Sequence, residues 1–123
     1  SDINAANHLA SDRILPITTE AQHRFIKSLG YEDAMCFDGI GLIMVHSETQ
    51  YISETRHGDK LIIELAVDNL LDKSLEFLYR IYNDTAQKET AALRVSMLFY
   101  NYDQKSVAKA PESVKEKLLA SAI

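Results

Sequence analysis

Seven residues near the start of the chain, 2–8, concentrate the groups that could do chemistry. Asp2, Asn4, Asn7 and His8 supply one carboxylate, two amides and an imidazole. A histidine titrates near neutrality and can take a proton from water. An amide can orient that water or donate to a carbonyl, but it cannot act as a carboxylate nucleophile or base. With backbone N–H groups at a helix start aimed at a developing oxyanion, such a set suits addition of water to an activated carbonyl. The same residue types also form turns, because Asp and Asn side chains bond nearby backbone. At the level of the residues both readings stay open.

Other titratable groups are scattered. Glu20 precedes Arg24 by four residues, the spacing of an ion pair on a solvated helix face. His23 belongs to that polar face. His46 lies on a strand with buried neighbours and reads as a structural histidine, and His57 as a turn residue. Cys36, between Met35 and Phe37, has no identifiable partner for thiol catalysis. Four scattered histidines and one cysteine give no metal-ligand spacing. With only four glycines, the chain has no phosphate-cradling glycine-rich loop.

These groups need elements to hold them. The spacing predicts a polar loop over residues 2–9 and a helix over 13–29. Asp12 is a suitable N-cap, Pro16 fits a first turn, and Gly30 can turn left-handed after the last helical residue. Ile14, Ile17, Ala21, Phe25 and Leu29 form an apolar stripe flanked by Leu15 and Ile26. Thr18 and Gln22 fall beside it. A buried Thr there is expected to bond back to a carbonyl one turn earlier. Further on, Leu42 to Val45 is a continuous apolar run that passes into a polar one, a strand buried at its start. Residues 61–67, 75–81 and 91–99 alternate with period two and are separated by short polar turns, which predicts an antiparallel meander. Pro111 opens a short helix with Val114, Leu118 and Leu119 as its apolar side.

At 123 residues the chain suits one domain, 1–123, and an upstream strand leading into Asp2 is expected. A net charge of −5 argues against a nucleic-acid partner. The lone cysteine fits a reducing, cytoplasmic setting, and no apolar run is long enough to cross a membrane. One helix cannot cover both faces of a five-stranded sheet, and a meander leaves edges that need protection. A homodimer or a dimer of dimers would address the edges.

The order of elements resembles the hotdog fold, an α+β architecture in which an antiparallel sheet wraps around one long central helix. Local motifs narrow the resemblance to thioesterases of the 4-hydroxybenzoyl-CoA thioesterase-like group. Residues 2–9 are similar to that group's Asp-x-Asp-x-x-Gly/Gln-His-Val loop. Glu20-Ala21 with Phe25 and Leu29-Gly30 resembles its Glu-Ala-Arg helix ending in Leu-Gly. Tyr51 followed by Gly58-Asp59-Lys60-Leu61 resembles the Tyr…Gly-Asp-x-Leu of its strands, and Ala110-Pro111 its C-terminal end. The resemblance implies hydrolysis of an acyl-CoA, or an acyl-carrier-protein thioester, with no cofactor and no metal. It implies catalytic roles for Asn4, His8 and Glu20, and thioester contacts from Asn7 and the basic turn Arg56, His57 and Lys60. Asn4 stands where much of the group has an Asp, and Gln22 where it has an Arg, so the usual carboxylate mechanism does not transfer unchanged. Asp2-x-Asn4 with His8 also resembles the Asp-x-Asn-Pro-x-His motif of hotdog enoyl-CoA hydratases, although the Pro is missing and His8 lies one residue further on. A non-catalytic acyl-binding or assembly role is the third expectation, favoured by Asn4.

Overall fold

A computed structural model describes residues 2–121, with side chains from residue 14 onward. The elements run α1 (Asp2–Ser28), β1 (Gly41–Tyr51), β2 (Leu61–Asp68), β3 (Ser74–Asn83), β4 (Lys88–Asn101), β5 (Ser106–Val107) and α2 (Glu112–Ala120). The strands form one antiparallel sheet in the order β1-β4-β3-β2, with β5 paired to the end of β4. The meander expected from alternation is therefore β2-β3-β4, and β1 docks on the far side of β4.

Alternation decides which face is buried. Ala91, Leu93, Val95, Met97 and Phe99 of β4 are all buried, as are Leu75, Phe77, Tyr79 and Ile81 opposite them on β3. Their neighbours Arg80, Arg94 and Glu76 point to the other face. There Arg94 lies 3.0 Å from Glu76 and 3.6 Å from Asp68, and Arg80 pairs with Glu89. One packed and one solvated face is the usual state of an antiparallel sheet.

Helix α1 crosses the packed face, and the sequence reading of it needs three corrections. The helix begins at Asp2, so residues 2–9 are helical rather than loop, and Asp12 is internal rather than an N-cap. Alanines at 5, 6 and 10 and the leucine at 9 favour that outcome. Pro16 consequently sits inside the helix, where it removes one backbone hydrogen bond. The buried line is Ile14, Thr18 and Ile26, while Ile17, Ala21, Phe25 and Leu29 are only partly covered. Thr18 can occupy the inward line because its hydroxyl donates to the Leu15 carbonyl at 2.9 Å, as expected of a buried helical Thr. The Phe25 ring meets Phe77 edge-on, with centroids 6.0 Å apart. The helix stops at Gly30, whose φ of +104° is left-handed.

Tight approaches and cross-links fix the remaining connections. A Cβ on Gly41 would lie 2.6 Å from the Met35 carbonyl oxygen and 2.4 Å from the Tyr102 ring, so only glycine fits at the start of β1. Asn83, fully buried at the end of β3, donates to Asp59 at 2.8 Å and accepts from the Ala86 N–H at 3.0 Å. That amide ties the β1–β2 connection to the β3–β4 turn. Val114 and Leu118 of α2 are buried, whereas Leu119 is exposed. Lys115 holds α2 to Asp72 at 2.7 Å.

Two predictions follow from this packing. Phe77→Ala should cost ~3–5 kcal/mol in chemical denaturation, as large-to-small changes at a fully buried site do. Phe25→Ala, at a half-covered site, should cost less. The second concerns acid. The Lys115 hydrogen bond and charge hold the Asp72 carboxyl below the usual range, and the Asn69 hydrogen bond with the Arg94 charge does the same for Glu76. A depressed carboxylate pKa stabilises the fold above the unfolded-state value, and that contribution is lost as pH falls through the folded one. In Asp72→Asn and Glu76→Gln, melting temperature should therefore fall less steeply with acid below about pH 4 than in the parent chain.

Candidate functional site

The direction of α1 defines one end of the molecule. Ile17, Glu20, Ala21 and Arg24 line a depression of ≈ 340 Å³ with Leu61, Ile63 and Leu65 of β2. Phe25 lies further along, against Phe77, which shares a row with Val67. The helix thus runs from the Leu61 end of the sheet towards the Val67 end. Ile14 still belongs to the buried core, and beyond it the helix continues through the turns that carry Asn4, Asn7 and His8. The side chains of these three residues lie outside the described part of the structure.

The basic turn reaches the same end. Arg56, His57 and Lys60 are exposed on the connection leading into Leu61. The Arg56 N–H donates to Asp59 at 2.7 Å, and the Lys60 N–H donates to Thr85 Oγ1 at 2.9 Å. The backbone is therefore pinned while the three side chains project into solvent.

Glu20 lines the depression between α1 and β2 and is paired along its own helix. Its carboxylate accepts from Arg24 at 2.7 Å on an open helix face. His8 is twelve residues away, or ~18 Å along an α-helix. His46 departs from its reading: it is exposed and lies 3.1 Å from Glu48. The residues flanking it on β1 are exposed too, because β1 is an edge strand.

Two hydroxyl residues, Ser47 and Thr49, went unnoticed in the sequence beside Tyr51 of the family motif. Ser47, Thr49 and Tyr51 of β1 sit opposite Val95, Leu93 and Ala91 of β4, so they share the packed face. The helix does not cover this part of the sheet: Ser47 is exposed, Thr49 half-exposed, and Tyr51 and Met44 retain 40% and 55% exposure. Thr90 follows them at the same end. It sits where the β3–β4 register slips, between Glu89, which pairs on the solvated face, and Ala91, which faces the core. Its carbonyl accepts from the Ile52 and Ser53 N–H groups, and its side chain is buried. Among the described residues, Thr90 Oγ1 is the buried side-chain polar atom without a hydrogen-bond partner. Deeper on this face, burial pushes the Tyr79 phenol well above its ordinary pKa and keeps it neutral. No group of three or more His, Cys, Asp or Glu that could hold a metal occurs among the described residues. No helix among them is long and apolar enough to cross a membrane.

A family model described as the thioesterase-like superfamily matches residues 1–118. The chain belongs to that superfamily. Its architecture is the hotdog fold, shared with solved structures at low identity. A gentisyl-coenzyme A thioesterase is 21% identical, with a TM-score of 0.74 over 86% of this chain and 82% of that one. A thioesterase-superfamily protein from Jannaschia sp. is 16% identical, with a TM-score of 0.81 over 91% and 79%. A predicted thioesterase from Bacillus stearothermophilus is 16% identical, with a TM-score of 0.71 over 89% and 80%. No curated protein matches the chain at a significant level.

The exposed Glu20–Arg24 pair predicts a small effect on folding. Glu20→Gln should change unfolding free energy by no more than ~0.5 kcal/mol, because exposed helix pairs contribute little. Thermal or urea unfolding of the variant beside the parent chain measures this directly.

Proposed function

We propose that this chain is a cytoplasmic acyl-CoA thioesterase, which hydrolyses an acyl thioester to the free acid and the thiol of coenzyme A. The observation that carries the reading is the superfamily match over nearly the whole chain. The gentisyl-coenzyme A thioesterase among the structural relatives supports coenzyme A as the thiol half. The exposed Arg56, His57 and Lys60 turn supports a ligand that carries phosphates; an acyl-carrier-protein thioester is the other donor of the same chemistry.

In this reading His8 takes the proton from the attacking water, a role for which imidazole is the usual side chain. Asn4 holds the water or donates its N–H₂ to the carbonyl oxygen, and Asn7 assists binding. Water adds to the thioester carbon, the tetrahedral oxyanion collapses, and the C–S bond breaks with the proton passing to the departing thiolate. The reaction needs no cofactor and no metal. Glu20, more than three helical turns from His8 along α1, is given no step in this reading.

Assembly belongs to the proposal. Strand β1 is eleven residues long and pairs on one side only. Met44 and Val45 on it are 55% and 53% exposed, and helix α1 leaves its inner face open. A second copy meeting this edge covers it and continues the sheet, as exposed edges require. A homodimer, or a dimer of dimers, is the expected solution state, and light scattering that finds a monomer at micromolar concentration would overturn it.

Release of free thiol from a panel of acyl-CoAs tests the activity. His8→Ala should lower turnover roughly 10²–10⁴-fold, with little change in melting temperature. Asn4→Ala and Asn4→Asp should both lower it, the first by about 10²–10³. Asn4→Asp matching or exceeding the parent chain would mean that the site works with a carboxylate at this position. Loss of enoyl absorbance from crotonyl-CoA without thiol release would reassign the protein as a hydratase.

A further inference from the structure

The outer face of the sheet, opposite α1, is not uniformly polar. Across its middle, Ala92 of β4, Leu78 of β3 and Ala66 of β2 are partly exposed and floor a groove of ≈ 650 Å³. Leu78 pairs with Ala66 on one side and Arg94 on the other, and Ala92 pairs with Arg80. Long side chains wall the groove on both flanks, Arg80 and Glu64 on one, Glu48 and Arg94 on the other. Positions four apart on a strand that straddle a floor residue, as Arg80 and Glu76 straddle Leu78, lie ~13 Å apart. That width matches an α-helix with its side chains, ~10–12 Å across.

The walls are acidic in sum. Arg80 is taken by Glu89, and Arg94 by Glu76 at 3.0 Å and Asp68 at 3.6 Å. Glu64 lies directly opposite Arg80 and Glu48 directly opposite Arg94, yet neither is the carboxylate that its neighbour meets. Both stay exposed on the rim, Glu48 with the His46 imidazole 3.1 Å away. With their charge answered, the two arginines offer the groove their aliphatic stems. A second copy presenting the same face would set carboxylates against carboxylates, which disfavours it as the occupant. Strands β1 and β2 are the two edges of the four-strand path, three strand spacings or ~14 Å apart. Glu48 and Glu64 therefore mark opposite ends and opposite flanks of the groove.

We propose that this groove docks a basic amphipathic helix of a partner protein, which lays small apolar side chains on Ala92, Leu78 and Ala66 and brings Lys or Arg to Glu48 and Glu64. Helices that bind grooves use one apolar stripe for affinity, while the charges beside it set partner choice and the rate of encounter. Charge complementarity decides the sign of the partner: both lining guanidiniums are already paired, and the rim carboxylates are not paired with them. The ~14 Å between those carboxylates spans ~9 residues of helix, so the partner's cations belong on successive turns of both flanks rather than in one run. The site lies on the face of the sheet away from α1 and does not depend on thioester chemistry.

The probe is a fluorescein-labelled helix of Ala, Leu and Lys, ~18 residues long so that it is helical alone, with Lys on both flanks of an Ala/Leu stripe. Its control has Glu in place of every Lys. By fluorescence anisotropy the Lys helix should bind the parent chain at least ~10-fold more tightly than the Glu helix, and added salt should weaken it. Ala66→Gln and Ala92→Gln fill the floor at unchanged charge and should each weaken binding ~10-fold or more. Glu48→Gln and Glu64→Gln should each weaken it ~3-fold and flatten the salt dependence, whereas Glu116→Gln, exposed on α2, should leave it unchanged. Diffuse attraction to an acidic protein gives a different pattern: binding ignores the floor variants and falls as much for Glu116→Gln. That pattern overturns the proposal, as does the absence of saturable binding at ~1 mM probe. Light scattering of Ala92→Gln tests the other occupant: a parent assembly that falls apart in this variant places a second copy on the groove and overturns the partner helix. Melting temperature identifies a floor variant that fails to fold, and the decision then rests on Glu48→Gln and Glu64→Gln against Glu116→Gln.

Discussion

One helix lies across a sheet too broad for it to cover, and most features of this chain follow from that mismatch. Helix α1 packs its Ile14, Thr18 and Ile26 line against the sheet and borders β2 along Leu61, Ile63 and Leu65. Under it, β3 and β4 present an unbroken apolar surface centred on Phe77, Tyr79 and Phe99. Strand β1 lies beyond its reach. The inner side of that strand can therefore carry Ser47 and Thr49, and its edge can carry exposed Met44 and Val45, without breaching the core.

Polar cross-links hold the edges of this arrangement in place. Asn83 uses both ends of its amide inside the protein, binding Asp59 and the Ala86 N–H. Its burial is tolerable because neither end is left unsatisfied. It also fixes the basic connection 56–60 against the β3–β4 turn, so that Arg56, His57 and Lys60 project from a rigid base. At the opposite end, Lys115 and Asp72 clasp α2, and the Lys117 ammonium stands 4.3 Å above the Tyr31 ring just past the helix stop at Gly30. Thr90 contrasts with all of these. It is buried polar chemistry without a local answer, beside the part of the sheet that the helix leaves open.

Much of the architecture was legible in the chain itself. Period-two alternation marked β2, β3 and β4 and their inward residues, because a half-buried strand must alternate. The turn residues around Gly58 and the 84–87 segment separated them. Local motifs carried the thioesterase family, and the bond from Thr18 back to a helical carbonyl was expected from its position. Tertiary structure decided the rest. The pairing of β1 with β4 joins residues some fifty apart, and nothing local in an apolar run names its partner. Once β1 became an edge strand, His46 moved from a buried structural site to an exposed contact with Glu48. Helix rotation brought Thr18 inward and left Ile17 half-covered, because fit against the sheet outweighs hydrophobicity alone at a given position. The isolation of the Thr90 hydroxyl depends on a one-residue register slip between two strands, which no periodicity reveals. Residue types thus determined which segments become strands and which chemistry the chain can attempt, while the packing of one helix on five strands determined which of those groups stay open to a substrate.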